Sequence, residues 1–404
     1  MSPTILSESQ REVREAVATL CSQFSNAYWQ ERDQTGTDPK DFHKAIAAGG
    51  WLGVALSEQY GGSGLGMAEA SVMMQAITES GAGMQGAQSI HANVYAIQPL
   101  AMFGTEAQRA TIIPKIVSGE WRTCFGVTEP NVGLDTTSLR TTATRTNEGW
   151  RIDGQKIWIT CAQQAKIMIL LARTTSIDHC AKKTEGLSLF AIPVDKEAPG
   201  LSLRRIVKMG GRGVDANEVF FDGYKVPGDS LIGGEESLGK GFKMILHGMN
   251  AERCLIAAEA LGLGYAALSR ASKYAQDRIV FGRPIGKNQA ISHPLAAAYA
   301  GLEAAALSTY HAARLFDSSQ NDKSQNVSSA DVGVAANMAK YLAGEAAFKA
   351  CETAVLTLGG MGYAAEYDVE RWFRECLVNR IAPVSREMIL NYIAERVLAL
   401  PKSY

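Results

Sequence analysis

The sequence predicts an α+β chain with an N-terminal helical domain, a central β-barrel-like domain and a C-terminal four-helix bundle. Three observations carry this. Apolar residues recur at helical spacing over 1–122, the period changes to two over 123–235, and long Ala-rich helical patterns return over 236–404. At 404 residues the chain also exceeds the roughly 250–300 at which one core stops growing, so subdomains are expected.

In the first segment Leu6–Trp29 has helical spacing, and Ser7 with Gln10 resembles a capping box. Asp38–Ala48, Met67–Ser80, Ala92–Phe103 and Thr105–Val117 predict further helices, parted by Gly-rich breaks such as Gly61–Gly66. In the middle segment Trp150–Thr160 alternates, and Lys166–Thr174, Gly186–Val194, Leu201–Val207 and Glu218–Val226 read as short strands. The last segment predicts helices over Gly239–Ile279, Asn288–Ser318, Ser328–Leu358 and Arg386–Leu400, with Ser318–Ser329 a polar loop. Helices this long far exceed the mean of about 11–12 residues, and a bundle is the natural way to bury them.

Composition excludes several classes. Lys+Arg 40 against Asp+Glu 41 leaves a net charge of −1, without a basic run to meet nucleic acid or a membrane surface. No apolar run approaches the roughly 18 residues of a membrane span, and the N-terminus lacks a secretory pattern, so a cytoplasmic location is expected. The seven cysteines are scattered without C-x-x-C, and the six histidines have no ligand spacing, so neither disulfide framework nor metal site is expected. Gly262 and Gly264 imitate a dinucleotide fingerprint, but no strand precedes them, and close helix packing accounts for both. With no nucleophile elbow and no Cys/His pair, the chemistry points to a cofactor held by polar groups.

Phe125–Ala143 reads FGVTEPNVGLDTTSLRTTA, and a strand pair follows that ends in Gly154–Thr160. Asp277–Leu295 reads DRIVFGRPIGKNQAISHPL, and Leu358–Arg371 reads LGGMGYAAEYDVER. Together these stretches closely resemble the signatures of the FAD-dependent acyl-CoA dehydrogenase family, in the right order and over essentially the whole chain. The resemblance implies FAD as cofactor. Phe125, Val127 and Thr128 then fall where backbone groups and a hydroxyl meet the flavin ring, with Gly133 and Leu134 in the same motif. Trp158 falls where an aromatic covers one ring face and Thr160 where a hydroxyl reaches the region of flavin N5, with Ile159 in the same cofactor-binding motif. A donor there has physical sense, because hydride arrival at N5 builds negative charge toward N1. Arg278, Phe281 and Gln289 match positions that meet the pyrophosphate and adenosine from a neighbouring subunit, Gly359 and Gly360 match an adenosine contact, and Ser385 a further cofactor contact. A shared site implies a homo-oligomer, in this family a tetramer.

The chain departs from the pattern in places. Leu134 replaces a common Ser, and Leu356 a common Gln. Where many members carry the base as Glu in Tyr-Glu-Gly-Thr, the chain reads Arg380-Ile-Ala382-Pro383-Val-Ser385, with Ala382 or Pro383 at the base position. Pro lacks the N–H that the family turns toward the thioester carbonyl, which favours Ala382 as the residue facing substrate. Members acting on isovaleryl and long-chain substrates carry the base on a C-terminal-domain helix just before an Arg, and here that stretch is Asn250-Ala-Glu252-Arg253. The resemblance thus implies Glu252 as the base that removes the pro-R α-proton, with Arg253, Asn250 and Met249 toward the CoA moiety.

The implied reaction is acyl-CoA to trans-2-enoyl-CoA, with electrons passed to an electron-transfer flavoprotein. Two alternatives are an oxidase that uses oxygen and a non-catalytic flavin-binding relative that binds DNA or protein. Near-zero net charge counts against the DNA binder.

Overall fold

The computed structural model describes residues 6–321 and 327–403, so part of the expected polar loop at 318–329 lies outside the described residues. The first block contains helices α1 (Glu8–Cys21), α2 (Asn26–Thr35), α3 (Lys40–Ala48), α4 (Met67–Ile77), α5 (Gly83–Tyr95), α6 (Gln98–Phe103) and α7 (Glu106–Val117). The Ser7 capping box with Gln10 is present. Leu6–Trp29 is not one helix, because Ser25 accepts from the Tyr28 amide and caps a new one. A π turn over Thr78–Ala82 links α4 to α5, so helix begins again at Gly83, ahead of the predicted Ala92.

Seven strands follow: β1 (Arg122–Gly126), β2 (Thr142–Thr146), β3 (Gly149–Thr160), β4 (Ala165–Arg173), β5 (Leu187–Pro193), β6 (Leu201–Arg205) and β7 (Ala216–Pro227). They form one sheet ordered β1-β4-β2-β3-β7-β6, with β5 also on β4. Only β1 and β2 pair in parallel, both with β4. Residues that alternate inward, such as Trp150, Ile152, Val219 and Phe221, form a core of their own.

The chain then enters α8 (Gly241–Asp277), a short hairpin of β8 (Ile279–Val280) and β9 (Arg283–Pro284), α9 (Gln289–Asn321) and α10 (Ser329–Leu358). It ends in α11 (Val369–Cys376), α12 (Val378–Ile381) and α13 (Arg386–Arg396). This is the predicted order of helical, sheet and helical domains. α8 is apolar enough over an 18-residue window to cross a membrane by length and composition, but 89% of that window is buried inside the protein. It is a core helix, packed on α4, α5, α9 and α10.

The two decoy glycines are packing residues. A Cβ on Gly264 would stand 2.7 Å from Leu302 Cδ2, and one on Gly262 would collide with the Thr78 hydroxyl and the Gln75 carbonyl. Gly262→Ala is therefore expected to destabilise the fold by about 1–3 kcal/mol, the usual cost of overpacking. Chemical denaturation measures this, and an unchanged midpoint would contradict the packing account.

Candidate active site

Two cavities meet where the sheet domain faces the C-terminal helices. The larger, of about 670 Å³, lies between the β1–β2 connection, the end of β3, the segment after β6 and α11–α12. Thr128, Gly133, Leu134, Trp158, Thr160, Ala382 and Ser385 border it, so one end of the chain is brought to motifs far away in sequence.

A buried ion pair builds the β1 side of this cavity. Lys156 on β3 is fully buried, and its Nζ donates to Glu129 Oε1 at 2.9 Å and to the Val127 carbonyl at 3.0 Å. Glu129 also accepts from the amides of Arg140 at 2.7 Å and Thr141 at 2.8 Å, which closes the loop between β1 and β2. Burial alone would raise the Glu129 carboxyl, but Lys156 and these hydrogen bonds hold it below the usual carboxylate range. Burial brings the Lys156 ammonium down to about 8, with Glu129 opposing. The Ile157 amide donates to the Thr128 carbonyl at 2.9 Å, which fastens β3 to the same loop.

Just beyond, the register of β3 on β7 shifts between Lys156 and Ile159. Trp158 takes a left-handed backbone there (φ 63°) and leaves its indole 55% exposed. A left-handed non-Gly residue in a bulge re-aims a side chain, here into the cavity. Ile159 points the other way, 2% exposed in the sheet core, and offers the cavity no side chain.

The second cavity, of about 530 Å³, runs along α8 between α6, α9, α10 and α13. Phe103, Phe242, Leu246 and Phe316 give it an apolar wall, and Met249, Asn250 and Arg253 also line it. Arg253 Nη1 donates to Asn250 Oδ1 at 2.8 Å. Gly133, Leu134 and Pro383 border both cavities. Leu134 thus sits at their junction and makes it apolar where a Ser would be polar.

Three matching domains identify this architecture. Residues 7–120, 124–224 and 239–398 match the acyl-CoA dehydrogenase N-terminal, middle and C-terminal domains. The chain belongs to the acyl-CoA dehydrogenase family. It is 35% identical to the acyl-CoA dehydrogenase FadE12 of Mycobacterium tuberculosis, over 99% of this chain and 98% of that protein. The butyryl-CoA dehydrogenase of Megasphaera elsdenii superposes with a TM-score of 0.88 at 29% identity, over 98% and 100% of the two chains. The FAD complex of PigA superposes with a TM-score of 0.88 at 26% identity, over 99% and 100%.

As a member of this flavoenzyme family the chain is an oxidoreductase with FAD as cofactor. The larger cavity suits a flavin ring, with an exposed indole on one side and the hydroxyls of Thr128, Thr160 and Ser385 around it. The Ser385 hydroxyl also caps α13 through the Met388 amide. Phe125 and Val127 are half-buried beside the cavity rather than on its wall. Arg278, Phe281, Gln289, Gly359 and Gly360 lie at the surface and are not brought to it within one chain.

Glu252 does not join the wall formed by its helix neighbours. It is 9% exposed and turned toward His91, with Oε1 3.8 Å from His91 Nε2. The Ala382 N–H, expected to face a thioester carbonyl, donates to the Val378 carbonyl at 2.9 Å as a helix end. Lys340 Nζ donates to the Val384 carbonyl at 2.6 Å and ties this turn to α10.

Sequence reasoning missed Lys208, Gln88 and Glu375 on the wall of the larger cavity. Glu375 accepts from the Met84 amide at 2.7 Å, and burial raises its carboxyl to about 7. The position of Glu375 in an amphipathic helix held no signal for this. The Glu in TEP carried a signal for the Lys156 pair only through its spacing to a strand Lys.

Lys156→Met removes one partner of the buried pair and leaves Glu129 uncompensated. It is expected to lower stability by about 3–5 kcal/mol and to weaken FAD retention, read from the flavin-to-protein absorbance ratio after dialysis. Wild-type stability and flavin content would contradict the role given to the pair.

Proposed function

We propose that this enzyme dehydrogenates an acyl-CoA thioester between Cα and Cβ, with Glu252 as the catalytic base. FAD, when bound in the larger cavity, supplies the hydride acceptor. The acyl chain occupies the cavity along α8, and the thioester lies at the junction beside Gly133, Leu134 and Pro383. Arg253, held by Asn250, meets the negative charge of CoA. Glu252, beside His91, would take the pro-R α-proton at the junction, and the β-hydrogen would leave as hydride to bound FAD as the Cα=Cβ bond forms. The product is the trans-2-enoyl thioester.

The observation that carries this reading is the place of Glu252: a nearly buried carboxylate one turn or less from three residues that line the acyl cavity. Among the described residues two carboxylates border the cavities themselves, Asp135 and Glu375. Asp135 is held in its own loop by Thr137 and Ser138, and Glu375 is bound to the Met84 amide. Glu375 is the competing base. Positions 382 and 383 carry no carboxylate.

Anaerobic titration with butyryl-, isovaleryl-, octanoyl-, palmitoyl- and 3-phenylpropanoyl-CoA tests the reaction and defines the acyl group. At least one is expected to bleach the flavin, and an unchanged spectrum with all five would favour a non-catalytic binder. Glu252→Gln is expected to slow bleaching by at least about 10²-fold with FAD retained, the scale of losing a positioned base. Near-normal bleaching in that variant, with loss in Glu375→Gln instead, moves the base to α11.

Reoxidation is assigned to an electron-transfer flavoprotein; rapid peroxide formation under air would instead assign it to oxygen. We also propose a homotetramer whose neighbouring chains bring Arg278, Phe281 and Gln289 to the FAD diphosphate and adenosine. Phe281 is 99% exposed and Tyr363 89%, a cost in water that a neighbour would relieve. Native mass spectrometry is expected to give four chains with four FAD; a stable FAD-loaded monomer would contradict this.

A further inference from the structure

One buried group next to Glu252 has no part in the scheme above. His91, on α5, places its ring between two carboxylates of α8 that stand about two turns apart. Its Nδ1 lies 2.6 Å from Glu259 Oε1, and Glu259 has no exposed surface. Its Nε2 is buried without a hydrogen-bond partner and lies 3.8 Å from Glu252 Oε1, in ion-pair range but beyond a direct hydrogen bond.

A carboxylate as deeply buried as Glu259 needs a cation or donors; His91 meets its Oε1, while Oε2 is buried without a hydrogen-bond partner. That contact fixes a proton on Nδ1, and in the doubly protonated ring it leaves Nε2–H directed at Glu252. Burial alone would strip the second proton. Glu259 and Glu252 outweigh it and raise the imidazole to about 10. The other groups around this cluster do not replace it. Tyr95 on α5 packs on the ring at 4.6 Å, and burial keeps its phenol neutral, as it does Cys124 and Cys161 behind it. Arg253 on α8 and Lys340 on α10 act on Glu252 from farther off, each with its main bond elsewhere, to Asn250 and to the Val384 carbonyl.

We propose that His91, clamped by Glu259, is the positioning residue of the base: it orients the Glu252 carboxylate beside the cavity along α8 and faces it with a ring N–H. The inference rests on the reading of Glu252 as the base. Transfer of the α-proton then breaks a C–H bond, forms an O–H bond on Glu252 and leaves the His91–Glu259 pair neutral, so no lone charge is stranded in the core.

The test is the pH profile of anaerobic flavin bleaching, with whichever of the five thioesters bleaches the wild type fastest. Removing an imidazolium beside a carboxylate makes that carboxylate harder to ionise, so the acid limb of the profile moves to higher pH. His91→Gln is expected to move it by about 1–3 pH units, the range for an opposite charge at this separation. FAD content and KM are expected to stay within about twofold. Glu259→Gln is expected to move the limb the same way, because the ring then loses the counter-charge that keeps it protonated, and it serves where His91→Gln does not fold.

A merely structural role lowers thermal stability in both variants and leaves the limb in place, and that result overturns the proposal. Wild-type protein with 13C-labelled histidine gives a readout independent of turnover. One resonance is expected to keep its protonated position through pH 9, and the absence of any histidine resonance that stays protonated to that pH overturns the proposal without any variant. Normal bleaching by Glu252→Gln is a different failure, that of the base assignment itself.

Discussion

A helix buried along most of its length cannot leave its charges unanswered, and α8 carries Glu252, Arg253 and Glu259 in its buried stretch. An isolated ion in such surroundings costs several kcal/mol even after relaxation. Three elements answer them: α5 brings His91 to the two glutamates, α8 itself brings Asn250 to Arg253, and α10 brings Lys340 toward Glu252. The same packing that closes the core therefore fixes the polar groups beside the cavity along α8. Gly262 and Gly264 let α8 approach its neighbours closely enough for this, since a side chain at either would meet Thr78 or Leu302.

The sheet domain solves a similar problem with a buried ion pair. Glu129 and Lys156 join two stretches that both touch the larger cavity, and backbone amides of Arg140 and Thr141 take the remaining carboxylate capacity. The bulge that follows turns one residue of an otherwise alternating strand outward to the cavity. Trp158 is thus exposed by backbone geometry, while its neighbours Lys156 and Ile159 remain inside.

Much of this could be read before any coordinates. Caps are local, so Ser7 with Gln10, Thr105 with Gln108 and Ser328 with Asp331 mark true helix starts. Alternation marks β3 and β7, which each have one buried face. β1 was hidden because it is short and nearly all buried, with no alternation to betray it. The break at Ser22–Ser25 was hidden because apolar spacing continues through it. The motif residues Thr128, Trp158 and Thr160 do reach one cavity, as the resemblance implied. His91 and Glu259 could not be found this way. They are 168 positions apart, and a lone histidine in a helix looks like any other core residue until its partners are in place.

The central claim is spatial: the Glu252 carboxylate serves the carbon next to a thioester. A crystal structure of the FAD-loaded enzyme with acetoacetyl-CoA, which has no β-hydride to give, measures it directly. The account predicts a Glu252 oxygen about 3–3.5 Å from the thioester α-carbon, with the flavin on the opposite face of the acyl group. A Glu252 that does not reach that carbon, with another carboxylate or none beside it, would contradict it.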